Sequence, residues 1–308
     1  MFKKIITKFN DAIIRKRVKK GDWLTGEQEL RLFAMPECKE LLAQYIKHWG
    51  LIHEEILLEL NDEKLFEQYC SVNKSLYGEI VNKIFTDADK PYYAWQPICA
   101  KYLTLSPENE VIMVTSWPKS AADYIDNRRL TSKAELAMFS TRGNMELKRK
   151  YIVDKNYFLA DVTVLMLLSS KVPLDGELLY AYMQRHFLES DNQQIVLVSR
   201  HNLDLLSLYF ERGSRPLCKG AQVMLWEWGD KKALGAFIEH QSFFEDAEVA
   251  FVKDADADLL EKYVIKYQLS ELAEIVFIER NNARLIKTYL RNHQFGDHAW
   301  QYYISLMN

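Results

Sequence analysis

Residues 247–269 read AEVAFVKDADADLLEKYVIKYQL, and residues 273–295 read AEIVFIERNNARLIKTYLRNHQF. Stacked, the two stretches share Ala-Glu, an aromatic four residues after that Ala, a polar turn, a Leu-Leu or Leu-Ile pair, and a Tyr followed by an aliphatic. They close on Leu269 and Phe295. Leu285, Ile286, Tyr289 and Leu290 fall at i, i+1, i+4 and i+5, one stripe of a helix. The polar run Asp254–Asp258 and the pair Asn281-Asn282 break the preceding helix and supply caps for the next. A Glu near each helix start suits the positive end of the helix dipole. The unit is therefore a helical hairpin of about 26 residues, too short to bury its own apolar face, so copies must stack.

The pattern continues upstream. Phe277 precedes Tyr289 by 12 residues, and the same interval separates Phe251 from Tyr263, Leu225 from Phe237, and Leu197 from Tyr209. The anchors run Tyr124, Tyr151, Tyr182, Tyr209, Phe237, Tyr263 and Tyr289, with weaker copies at Tyr45, Tyr69 and Tyr102. This reading predicts an all-α protein with negligible strand, an α-solenoid of about ten short helix–turn–helix repeats. It places a single helical-repeat domain over residues 23–308, clearest at 108–295. Residues 1–22 form a basic amphipathic helix that caps the array. Residues 86–97 (TDADKPYYAWQP) read as an inserted loop, and 169–176 (SSKVPLDG) as a lengthened turn.

The unit resembles α-solenoid families in general, the HEAT, armadillo and tetratricopeptide classes. It is more similar to short hairpin arrays in uncharacterised bacterial proteins. It departs from the 34-residue tetratricopeptide period and lacks the ankyrin Thr-Pro-Leu-His. The resemblance implies a fold and a binding role, and no reaction.

Composition fits this. Of 308 residues, 48% are hydrophobic and 27% charged, with only 11 Gly and 7 Pro, too few turn formers for a β-sandwich. Cys38, Cys70, Cys99 and Cys218 form no CxxC pair and read as buried thiols in a reducing compartment. No apolar run reaches membrane-spanning length and no secretory leader is evident, so the expected location is cytoplasmic.

The motifs of common chemistry are missing. No GxGxxG, GxxxxGK[ST], GxSxG or HExxH occurs. The run Asp254-Ala-Asp-Ala-Asp258 resembles the start of a calcium loop, but that loop's Gly and Glu positions hold Leu259 and Ile265. His48/His53 and His293/His298 are each five apart, the wrong spacing for a helical zinc pair. The expectation is no cofactor, no metal and no catalytic residue.

Two features point to partners. Residues 1–20 hold Lys3, Lys4, Lys8, Arg15, Lys16, Arg17, Lys19 and Lys20 against one acid, Asp11, while the rest of the chain carries a net charge of −10. Phe2, Ile5, Ile6, Phe9, Ile13 and Val18 can share a helical face between those cations. Such a helix caps the array or meets an anionic membrane or nucleic acid. Trp228 stands where Asp254 and Arg280 stand in later repeats, so it either anchors a partner or packs on a neighbouring loop. Tyr92, Tyr93 and Trp95 carry the same ambiguity. The expected function is a non-enzymatic scaffold for a protein or peptide partner. The alternatives are a HEAT-like nucleic-acid-binding protein or DNA glycosylase, disfavoured by the acidic body, and a membrane-peripheral scaffold tethered by residues 1–20.

Overall fold

A computed structural model describes residues 2–87, 94–213 and 215–307, with side chains from Asn10 onward. These residues form 22 α-helices and one π-helical turn, with no strand among them. The chain divides into two compact units, Met1–Tyr157 and Phe158–Asn308. None of the described helices is long and apolar enough to cross a membrane.

The first unit holds α1 (Phe2–Lys20), α2 (Gly26–Phe33), α3 (Cys38–Tyr45), α4 (Ile56–Leu60), α5 (Glu63–Asn73), α6 (Gly78–Thr86), α7 (Trp95–Tyr102), α8 (Pro107–Ser116), α9 (Pro118–Asn127), α10 (Ser132–Ser140) and α11 (Met145–Arg149), which runs into the π turn Lys150–Asp154. The second holds α12 (Asp161–Ser169), α13 (Pro173–Met183), α14 (Asp191–Ser199), α15 (Leu203–Glu211), α16 (Lys219–Trp228), α17 (Lys231–His240), α18 (Glu245–Asp254), α19 (Ala257–Lys266), α20 (Glu271–Glu279), α21 (Ala283–Asn292) and α22 (Asp297–Met307). From α6 onward within each unit, even-numbered helices pack on even, α8 on α10, α14 on α16 and α18 on α20, and odd on odd, α7 on α9, α15 on α17 and α19 on α21. This is an all-α helical-repeat solenoid of hairpins, each an even helix followed by an odd one. The helix α1 joins the odd row and α22 the even row.

The anchors are core residues. Tyr45, Tyr69, Tyr124, Tyr151, Tyr182, Tyr209, Phe237, Tyr263 and Tyr289 are all fully buried. Their hydroxyls need partners there, and the Glu of the repeat supplies them. Tyr263 donates to Glu248 at 2.7 Å, Tyr289 to Glu274 at 2.6 Å, Tyr124 to Glu110 at 2.8 Å and Tyr69 to Glu54 at 2.5 Å. The same hydroxyls accept the backbone N–H of the residue that leads into their own hairpin: Phe243 onto Tyr263 at 3.1 Å, Leu269 onto Tyr289 at 3.2 Å. The second carboxylate oxygen accepts an N–H at the start of the next hairpin, Ser270 onto Glu248 and Gly296 onto Glu274, both at 2.8 Å. Each Glu–Tyr pair is thus a buried latch between three consecutive chain segments. Glu248 and Glu274 do lie in the first turn of their helices, and the structure adds a second role: they are 4% and 1% exposed, one oxygen serving the Tyr of their own hairpin and the other the start of the next.

The latch varies in chemically consistent ways. Gln194 takes the Glu place beside Tyr209; its amide donates to that hydroxyl at 2.9 Å and its carbonyl accepts from Cys218 N–H. Where the anchor is Phe237 and has no hydroxyl, Gln222 donates to the carbonyls of Leu217 and Ser242 and accepts Phe244 N–H. In the α6–α7 hairpin the pair is apolar, Val81 and Cys99, both buried. Tyr102 is therefore not the anchor of that repeat. It is half-exposed and donates to Glu67 at 3.2 Å, while Trp95, Gln96, Cys99 and Ala100 hold the buried positions that Leu259, Leu260, Tyr263 and Val264 hold in α19.

The two irregular stretches also differ from expectation. The helix α7 begins at Trp95, inside the stretch read as a loop, with Pro97 tolerated in its first turn. Residues 170–172 are the whole turn before α13, because Pro173 starts that helix; Ser170 Oγ accepts Val172 N–H and donates to Asp175.

Burial predicts thiol reactivity. It pushes the Cys70 thiol up to about 12 and Cys99 well above its ordinary value, while Cys38 and Cys218 are only partly covered. Reaction needs thiolate and access. A disulfide reagent added to folded protein should titrate Cys38 and Cys218, and reach Cys70 and Cys99 only in denaturant.

Candidate interaction surface

The two rows of the second unit differ in what they show to water. Counting from the N-cap, residues at positions three, four, seven and eight of α12, α14, α18 and α20 face the core, as Ala247, Glu248, Phe251 and Val252 do in α18. Positions five and six flank the outer face. In successive even helices they are Leu165/Met166, Ile195/Val196, Val223/Met224, Val249/Ala250 and Ile275/Val276, all apolar and none fully buried. The same register in the odd row reads Tyr180/Ala181, Ser207/Leu208, Gly235/Ala236, Glu261/Lys262 and Lys287/Thr288, small, polar or charged from α17 onward. Val162 and Leu272, at position two, add exposed apolar side chains to the even row. Part of this stripe is packing between repeats: a Cβ on Gly220 of α16 would lie 3.3 Å from Ile195 of α14. The remainder leaves partly exposed aliphatics recurring along the even row, and exposed apolar surface is what interaction sites present.

The residues singled out from sequence are dispersed. Trp228 is partly covered, its ring stacked on His201 at 4.7 Å and 13°. Arg200 and Arg280, at the same place in their repeats, donate to carbonyls at the end of the preceding even helix: Arg200 to Leu167, Leu168 and Ser170, Arg280 to Val252 at 2.7 Å. All three side chains cover the end of the preceding even helix, the arginines by hydrogen bonds to the C-terminal carbonyls and Trp228 by stacking. Trp95 is 3% exposed and stacks on Phe66 at 4.2 Å, which removes it from any surface. Tyr92 and Tyr93 lie outside the described residues.

The basic helix is docked through Ile14 and Val18, both buried. Ile13, assigned to the docked face by its spacing, is exposed instead. Arg15 pairs with Glu37, Arg17 donates to Gln28 at 3.0 Å, and Asp11 pairs with Arg31 at 2.8 Å, so part of the charge serves the dock. Lys16, Lys19 and Lys20 are exposed; the side chains of Lys3, Lys4 and Lys8 lie outside the described residues.

The polar clusters also serve the fold. Asp256 of the Asp-rich run caps α19, accepting the N–H groups of Asp258 and Leu259 at 3.1 and 2.9 Å. His53 pairs with Glu55 and His298 with Glu271. Glu29 and Glu54 have pKa values raised chiefly by burial, and both are latches: Glu29 accepts the N–H groups of Ile52 and His53 and the Tyr45 hydroxyl, and Glu54 those of Tyr77 and Tyr69. A carboxyl whose folded pKa is raised contributes stability that is fully present below the unfolded value and lost as pH climbs through the folded one. Melts of wild type and Glu54→Gln should therefore diverge in slope above about pH 4.5, the wild type losing relative stability as pH rises. Parallel profiles would show that Glu54 is not held against a desolvation cost.

No protein-family model matches the chain, and neither a curated protein nor a solved structure is significantly similar to it.

Proposed function

We propose that this chain is a non-catalytic interaction scaffold that receives a protein or peptide partner along the even-helix row of its second unit. The observation that carries this is the asymmetry of the rows. Five successive even helices keep apolar pairs at positions where α17, α19 and α21 carry small, polar or charged residues. Keeping aliphatic surface half in water gains nothing for the isolated unit, whereas a partner helix or extended segment laid across the row would bury it at about 25 cal/mol per Å². The N-cap and latch groups are already committed to the backbone, which leaves shape and apolar contact as the means of recognition.

The test is site-specific photo-crosslinking in cells of the native host. A photoreactive residue at Asn192 or Leu272 probes the even row, and one at Lys262 or Lys287 probes the odd row. Discrete adducts from the even row alone support the proposal; equal labelling from both rows, or adducts from the odd row only, contradict it.

A further inference from the structure

In the first unit, three successive connections from an odd helix into the next even helix share a composition that the two following them, 103–106 and 128–131, lack. Residues 19–23 read KKGDW, 47–52 read KHWGLI and 72–77 read VNKSLY. Each presents an exposed ring, Trp23 at 47%, Trp49 at 39% and Tyr77 at 58%, with Lys19, Lys20, Lys47 and Lys74 exposed beside them. Ile52 adds an exposed aliphatic. The connections at 103–106 and 128–131 carry no aromatic.

The three segments are held side by side. The Trp49 indole N–H donates to Gly21 O at 2.9 Å, and the His48 ring lies against Gly21. Latches fix the same turns from beneath. Leu24 N–H donates to Tyr45, Leu51 N–H to Tyr69, Ile52 N–H to Glu29 and Tyr77 N–H to Glu54. The exposed rings therefore stand on a rigid edge.

We propose that this edge is a contact site for an anionic membrane surface. Tryptophan and tyrosine, with an apolar body and a polar tip, prefer the lipid–water interface. Lysines beside them are drawn to anionic headgroups. The stretches quoted are each net positive, with Asp22 the one acid among them, while the second connection continues through the buried latch Glu54 and the exposed Glu55; the chain as a whole is net negative. A single-stranded nucleic acid would use rings and cations as well. Ile52, which offers no stacking face, favours lipid. The site enlarges the role of the basic N-terminal helix: Lys19 and Lys20 act with two further turns instead of alone. It stands apart from the even-row surface of the second unit, so either reading survives the failure of the other.

The experiment is co-sedimentation of the full chain with phosphatidylcholine vesicles, with and without phosphatidylserine, alongside a single-stranded oligonucleotide. Two variants are compared with wild type: Lys19→Glu/Lys20→Glu/Lys47→Glu and Trp23→Ser/Tyr77→Ser. All five positions are exposed, and unchanged thermal melts would confirm folding. Binding is expected only with phosphatidylserine. The charge variant should lose about 100-fold, since each lysine at an anionic surface is worth about fivefold. The aromatic variant should lose about tenfold or more, because each buried ring contributes apolar area. Failure to bind phosphatidylserine vesicles would overturn the proposal. So would wild-type binding by both variants, or loss of oligonucleotide binding with vesicle binding intact.

Discussion

Tyr263→Ala should destabilise the second unit by about 4 kcal/mol, in the middle of the range for truncating a buried aromatic. The ring is fully buried and in contact with Phe243, Phe251 and Tyr267 at centroid separations of 5.7, 5.2 and 5.0 Å. Its loss leaves a cavity between hairpins, and it also strips one acceptor from Phe243 N–H and one donor from Glu248. An orphaned buried carboxylate adds to the cavity cost. Denaturant melts measure this directly, and a loss below about 1 kcal/mol would mean that the ring is not a core anchor.

Glu248 should show a graded response. Glu248→Ala removes the acceptors of Tyr263 Oη–H and Ser270 N–H, each buried or partly so, and should cost about 3 kcal/mol. Glu248→Gln should cost about 1 kcal/mol, because Gln194 and Gln222 hold the same place and keep the bond to the next hairpin. The double variant Glu248→Gln/Tyr263→Phe reproduces the native Gln222/Phe237 pair. It should lose less than the sum of its single variants, as residues sharing a hydrogen-bond network do. Additive losses would contradict a latch. Burial and the adjoining carboxylate raise the Tyr263 hydroxyl well above its ordinary value, so it stays a donor throughout the accessible pH range.

How much of this was legible in the sequence depends on the residue. The anchors were, because a large aromatic at a constant offset from another apolar residue is what a repeating core requires. Tyr102 misled because its residue type was followed instead of its register; Cys99, three residues earlier, keeps the spacing to Leu105 that Tyr263 keeps to Leu269. The role of Glu248 was hidden because a Glu in the first turn also fits the helix dipole. Its signal was the constant interval of 15 residues from Glu248 to Tyr263 and from Glu274 to Tyr289. The even-row pairs appear in sequence as a second apolar pair, such as Val249-Ala250 or Ile275-Val276, which blurs the amphipathic pattern. Trp23, Trp49 and Tyr77 recur at intervals of 26 and 28 residues, close to the repeat period. Their exposure, however, depends on which loops border them, and only the folded array shows that.

The central claim is that the even row of the second unit is a surface kept for a partner, not an internal seam. Val196→Lys together with Val276→Lys tests it, since a lysine at a half-exposed site can carry its amine to water along its own stem. Stability and the cross-link from Asn192 are read on the same protein. The account predicts a melt within about 1 kcal/mol of wild type, as for surface substitutions, and loss of the adduct. A collapse of stability comparable to Tyr263→Ala, or an undiminished adduct at unchanged stability, would contradict it.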